Sequence, residues 1–395
     1  MYRIKGRFQQ YAWGGNTYIP SLFHQQNDEK RPFAEYWMGV HSGGNSTVLL
    51  EQGASTTLSG LINADKPKYL GKTIFEKFRK LPFLFKILDV KDMLSIQVHP
   101  TLPDAKAGFL RENESGIPLD APNRNYKDDN HKPEVMVALS DFWLLHGFAS
   151  DIHNRLEEYD FLRPYRELYV QGGLKALYEH LMEMPQEQVN EALSDHLANI
   201  QQRYHAGQLD KKSPDFWAAR AAITFNTGID IDRGIFSIYL FNILNLSPGE
   251  GIFQGAGMPH AYMEGQNIEL MSNSDNVLRG GLTPKHVDVS ELMRNIDFVE
   301  TIPQILRGTL QDSFRQYPVP VEDFGLSYKS MGADEEWNLV IDKPAIILAL
   351  DGTLVWTSTN RRFDSAGCEA VFVYPGEEIK VLACSASRLF VASAG

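Results

Sequence analysis

Cysteine is nearly absent from this chain: two occur in 395 residues, Cys368 and Cys384, without Cys-x-x-Cys spacing. That scarcity excludes a disulfide framework and a thiolate zinc site, and it makes a reducing cytoplasm the default expectation. Long apolar runs are missing too, so no stretch reads as a membrane span. The opening Met1-Tyr2-Arg3-Ile4-Lys5-Gly6-Arg7 leads into polar and aromatic residues instead of the apolar core of a signal peptide. Positive charge is the third shortage. Lys and Arg number 38 against 50 Asp and Glu, a formal net charge of -12, which argues against nucleic acid or an anionic membrane as a partner. An anionic small molecule would need a local cationic pocket.

What is present is a chain long enough for two or three structural units, with 43% hydrophobic residues. Up to about Ala149 it reads as short strands joined by turn-rich loops. Glu35-Tyr36-Trp37-Met38-Gly39-Val40 suits a pleated surface, and Ser42-Gly43-Gly44-Asn45-Ser46 is a turn signal. The nearly apolar run Leu81-Pro82-Phe83-Leu84-Phe85-Lys86-Ile87-Leu88-Asp89-Val90 carries one lysine, Lys86, expected at an edge with its ammonium in water, and a candidate for an anion contact. Residues 101–133 lose periodicity and read as a long loop. Beyond Ser150 apolar residues recur at helical spacing, at Leu174, Leu177 and Leu181, then at Val189, Leu193, Leu197 and Ile200. Ser213-Pro214-Asp215 has the form of a helix start. Strand character returns over residues 234–244. After Pro318 the chain is all strand and turn, and Tyr374-Pro375-Gly376-Glu377 echoes Ser247-Pro248-Gly249-Glu250, which sets Ser387 opposite His260. These features predict a mainly β protein. Its units are residues 1–149 with 234–315, a helical insertion at 150–233, and a second β-barrel at 316–395 without a metal site.

The chemistry centres on Leu94-Ser95-Ile96-Gln97-Val98-His99-Pro100. In a strand, Gln97 and His99 share a face, and Pro100 ends the strand at a rim. Glu134 begins a second predicted strand and His260 follows glycines and a proline at another strand end. Two imidazoles, a carboxylate and an amide oxygen suit zinc, with other divalent ions still open. Arg279 and Lys285 lie close together in a poorly periodic segment where a guanidinium and an ammonium can hold a phosphate. Each feature taken singly has a bland reading, a satisfied buried histidine or a solvated basic loop. Their combination does not.

Leu94 to Pro100, Asn130 to Glu134, Pro259 to Lys285, Tyr11-Ala12-Trp13-Gly14-Gly15 and Glu35-Tyr36-Trp37-Met38-Gly39 together resemble the signature segments of the type I phosphomannose isomerases. The resemblance implies a cupin-type β-barrel (jelly roll) catalytic unit and one zinc ion per chain on Gln97, His99, Glu134 and His260. It also implies an active-site Arg279 and a pocket involving Trp13, Ser95, Lys132, Glu269 and Lys285. The implied reaction interconverts mannose 6-phosphate and fructose 6-phosphate through an enediol. Lys132, His131 and Glu269 are the candidates for its base, and Lys86, Ser95 and Lys285 are further anion contacts. Two rivals share the ligand set: an iron-dependent cupin oxygenase and a non-catalytic sugar-phosphate binder. The oligomeric state is not fixed, and a monomer is compatible with everything above.

Overall fold

The computed structural model describes residues 1–311 and 314–395. Its central strand, Phe83–Val90, is buried along its whole length. Phe83, Phe85 and Ile87 enter one core, while Leu84, Lys86, Leu88 and Val90 face the other way. Cover on both sides is why the run is almost unbroken in apolar residues. Strands Glu35–Gly39 and His260–Ser272 flank it, antiparallel, with Trp37 and Glu269 directly opposite Lys86. The edge position expected for Lys86 is thus corrected to a central one.

Strand His260–Ser272 organises the site. Up to Glu264, across a register shift between Tyr262 and Glu264, it pairs with Phe142–Phe148 and, at His260, with Gln97–Val98; from Gly265 onward it pairs with Phe83–Val90 and Glu134–Ala138. Gly265, at φ +126°, lies just past the shift, and a Cβ there would meet the carbonyl oxygen of Asp141 at 2.6 Å. The bulge and the glycine re-aim one strand so that it serves two sets of partners.

The regular elements between residues 150 and 233 are helices. Leu177 and Leu181 of Arg166–Glu183, and Leu193 and Leu197 of Gln186–His205, share a buried cluster with Val98, Leu145, Ala261 and Leu278. The helices therefore back the strands whose opposite face carries Gln97, His146, His260 and Arg279. At the other end of the chain, strand Tyr2–Lys5 pairs with Glu369–Val373 and with Thr47–Leu49. Side chains of both large sheets, Phe85 and Ile268 with Phe372 and Phe390, meet in another cluster.

Two expectations are overturned. Helix and strand are nearly balanced, about 29% and 32%, so the fold is mixed α/β and not mainly β. The cupin-type barrels are not closed either, and the sheets stay open. The ten-stranded sheet runs from Phe241–Leu246 to Arg7–Gln9, the nine-stranded one from Thr309–Gln311 to Ser55–Thr57, and the four-stranded one from Glu336–Val340 to Arg362–Ala366. Among the described residues no ladder joins the two ends of any of them. Helix appears where strand or loop was expected. Gly234–Leu240 is a helix with all seven residues buried, and a segment apolar on every side shows no period by which to tell helix from strand. Leu102–Glu114 is a helix inside the predicted loop; Thr101 accepts a hydrogen bond from the Asp104 amide at 3.2 Å, and a proline sits in its first turn.

Candidate functional site

His99 and His260 stand at strand ends, and each donates its Nδ1 proton to a carbonyl, Asn276 and Met258 respectively, both at 2.9 Å. A carbonyl only accepts, so both tautomers are set and both Nε2 lone pairs are free. Those lone pairs converge on one carboxylate. His99 Nε2 lies 3.4 Å from Glu134 Oε1, and His260 Nε2 lies 3.5 Å from Glu134 Oε2. Ligands about 2.0–2.2 Å from a tetrahedral centre stand roughly 3.3–3.6 Å apart, so this is the spacing of a shared dication. His99 Nε2 is buried with no hydrogen-bond partner, an orphan that a metal bond would satisfy. Among the described residues this is the one group of three or more side chains able to ligate a metal.

Protonation states agree with that use. Burial, with the Lys132 ammonium beside it, pushes the His99 imidazole down to about 4, so it is neutral. Burial alone would raise the Glu134 carboxyl, but Lys132, 2.8 Å away, and the two imidazoles hold it well below the usual range. A neutral imidazole and an ionised carboxylate are the forms that bind metal.

Sheet register places more of the expected residues. Arg279 lies directly opposite Gln97, Gln97 opposite His260, and His260 opposite His146, so all four share a face. Arg279 makes no ion pair among the described residues, and burial lowers its pKa. Lys285 is lowered by burial and then by Arg279 and Lys127, a crowd of cations suited to an anion. Trp13 packs at the rim of the cluster that holds Met136 and Tyr262. Ser95 is half-buried and has no hydrogen bond to the triad among the described residues.

A second polar cluster adjoins the triad. Lys86 Nζ binds Glu269 Oε2 at 2.7 Å and sits 5.2 Å from the centre of the Trp37 ring, whose indole N–H donates to Glu35. Burial works against the charged Lys86, but Glu269, Glu35 and Glu134 outweigh it and raise its pKa. Glu35 is raised by burial, with Lys86 opposing. The Tyr262 hydroxyl, buried beside Glu269, is raised well above its ordinary value by burial first. Glu35 and Tyr262 were not among the expected site residues. The signal for Glu35 was its period-two spacing from Trp37, and for Tyr262 the same spacing from His260.

His131 goes elsewhere. Its Nε2 pairs with Asp323 Oδ1 at 3.0 Å, and Ser272 Oγ donates to the same oxygen at 2.8 Å, so the imidazole is tied to the C-terminal segment and not to the triad.

Comparison with known proteins agrees with this geometry. The family model for the catalytic domain of type I phosphomannose isomerase matches residues 1–150. The mannose-6-phosphate isomerase of Escherichia coli (strain K12) is 34% identical over 385 residues, 95% of each chain. That of Salmonella typhimurium is 34% identical over 406 residues, 98% of each. A crystal structure of the Salmonella typhimurium enzyme bound to substrate and zinc superposes with a TM-score of 0.88 at 32% identity, covering 100% of this chain and 99% of that one.

Proposed function

Because this chain belongs to the type I phosphomannose isomerases, or mannose-6-phosphate isomerases, we infer that its reaction is the interconversion of mannose 6-phosphate and fructose 6-phosphate on one zinc ion per chain. The observation that carries the reading is the convergence of His99, Glu134 and His260, all three buried, with the His99 Nε2 left without a partner. Gln97 is the proposed fourth ligand. Zinc held there supplies a Lewis acid for the sugar oxygens at C1 and C2.

The chain's own groups do the rest. Moving the carbonyl between C1 and C2 takes a proton off one carbon and returns it to the other, which a single base on one face accomplishes. Glu269 is the proposed base. It lies opposite Met136, two residues along the strand from Glu134 and on the same face, so its carboxylate is offset by about 6–7 Å of strand from the metal ligand. Lys86 positions that carboxylate, and the Lys132 ammonium, already on Glu134, is placed to donate to a substrate oxygen. Arg279 and Lys285 are the proposed phosphate contacts, with Ser95 and Trp13 lining the approach. His131, turned to Asp323, leaves the proton transfer to Glu269 and Lys132. The rival iron oxygenase and non-catalytic readings have no counterpart among the relatives above.

No helix among the described residues is long and apolar enough to cross a membrane. Cys368 and Cys384 are both free thiols, which supports the proposed cytoplasmic location. A coupled assay on mannose 6-phosphate with wild type and His99→Ala tests substrate and metal together. Turnover is expected for wild type, and for the variant a loss larger than the about 10–100-fold typical of removing only a contact behind a metal ligand. Full activity in a zinc-free sample would remove the metal from the reaction.

A further inference from the structure

Two buried polar side chains beside the triad take no part in the chemistry above. Gln254 is 0% exposed and His146 4%. His146 Nδ1 donates to Gln254 Oε1 at 2.8 Å, while the Gln254 amide nitrogen has no hydrogen-bond partner. Their placement is informative. Gln254 stands directly across its strand pair from Glu134, and His146 directly across from His260. Residues paired in this way share a face with Cβ atoms about 4.5–5.5 Å apart, so each half of the pair flanks one metal ligand. The four residues close a ring: Glu134 meets His260 at 3.5 Å, His260 sits beside His146, His146 bonds Gln254, and Gln254 sits beside Glu134. Strand Glu134–Ala138 pairs with the far half of His260–Ser272, Glu134 opposite Met271, but among the described residues no ladder joins the outer strands Gly251–Gln254 and Phe142–Phe148 to each other. The side-chain bond ties them directly.

A leucine at position 254 would fill a buried site without the desolvation penalty of an unpaired amide, so packing alone does not select this pair. We propose that His146 and Gln254 form a positioning strut that holds Glu134 and His260 at ligand spacing and thereby sets how tightly zinc is held. The proposal rests on the zinc reading above. Contacts behind metal ligands fix their orientation before the ion arrives, and their loss typically weakens metal binding by about 10–100-fold.

The test is competition between the full-length protein and a chelator of known zinc affinity, on wild type, Gln254→Leu, His146→Leu and His146→Gln, with urea unfolding of each zinc-free protein alongside. Gln254→Leu and His146→Leu are expected to bind zinc about 10–100-fold more weakly, and Gln254→Leu to stay near the wild-type zinc-free urea midpoint, because removing the unpaired Gln254 amide nitrogen offsets leaving His146 Nδ1 without its acceptor. His146→Gln keeps a donor for Gln254 Oε1 and is expected to retain most of the affinity. Should one leucine variant not fold, the other supplies the same comparison. Zinc affinity within twofold of wild type in either folded leucine variant overturns the strut alone. A wild-type protein that takes up no zinc overturns the zinc reading and the strut with it.

Discussion

A lysine inside a buried strand is tolerated only where its charge is met, and Lys86 is met by Glu269 at 2.7 Å with Glu35 close behind. Lys86→Met would keep the length of the side chain while stranding two buried carboxylates. Removing one partner of a buried pair costs about 3–5 kcal/mol, so urea unfolding should show a loss of that size, and kcat on mannose 6-phosphate should fall with it. An unchanged urea midpoint would mean that the two carboxylates are protonated or solvated instead. Sequence told part of this. Lys86 was visible as an oddity in an apolar run, but its edge reading failed because a run covered on both sides looks the same whether it is central or peripheral. Glu35 was not singled out, since a carboxylate at the start of a short strand resembles any solvated turn residue.

Among the elements, strand His260–Ser272 carries both a metal ligand and the proposed base, and its bend decides whether they cooperate. Gly265 is the residue at which that bend is possible, with φ at +126° and a backbone oxygen 2.6 Å from where a Cβ would lie. Gly265→Ala adds backbone strain of roughly 1–3 kcal/mol before any clash is counted. The expected outcome is a lower urea midpoint together with a fall in kcat, and a variant with wild-type stability would show that the strand turns elsewhere. A lone glycine in a strand pattern does hint at a bulge. Which two partner sets the bulge separates is not a local property. The helix Leu102–Glu114 teaches the reverse lesson: its Thr101, Pro103 and Asp104 are legible cap residues, and the charged surface that follows hid the helical period.

On the scale of the whole molecule, the helical unit is joined to the site strand by Glu264, which binds both Lys211 and Arg220. Burial alone would raise the Glu264 carboxyl, but the two cations hold it below its ordinary 4.5. A depressed acid contributes stability that is present above its unfolded value and lost as pH falls through its folded one. Glu264→Gln should therefore be less stable than wild type at pH 7, by roughly 1.5–3 kcal/mol for hydrogen bonds to charged groups. Urea midpoints at pH 7 and pH 3 should show that gap narrowing in acid; a gap that persists unchanged would assign the effect to packing. Zinc acts on the whole fold as well. A ligand at a hundred times its Kd stabilises the native state by about 2.7 kcal/mol, so Tm should rise with added zinc and fall on chelation. A Tm indifferent to both would leave the triad without its metal.

By itself the sequence determined the chemical alphabet of this protein: which residues can ligate, which can carry a phosphate, where helical period begins, and which family the ordered motifs resemble. Those are properties of side chains and of short-range spacing. Tertiary structure alone decided that Lys86 is central, that His131 turns to Asp323, that the sheets stay open, and that His146 and Gln254 lie beside the ligands. Each of these depends on pairing between residues far apart in the chain, and register between distant strands leaves no mark on either strand alone.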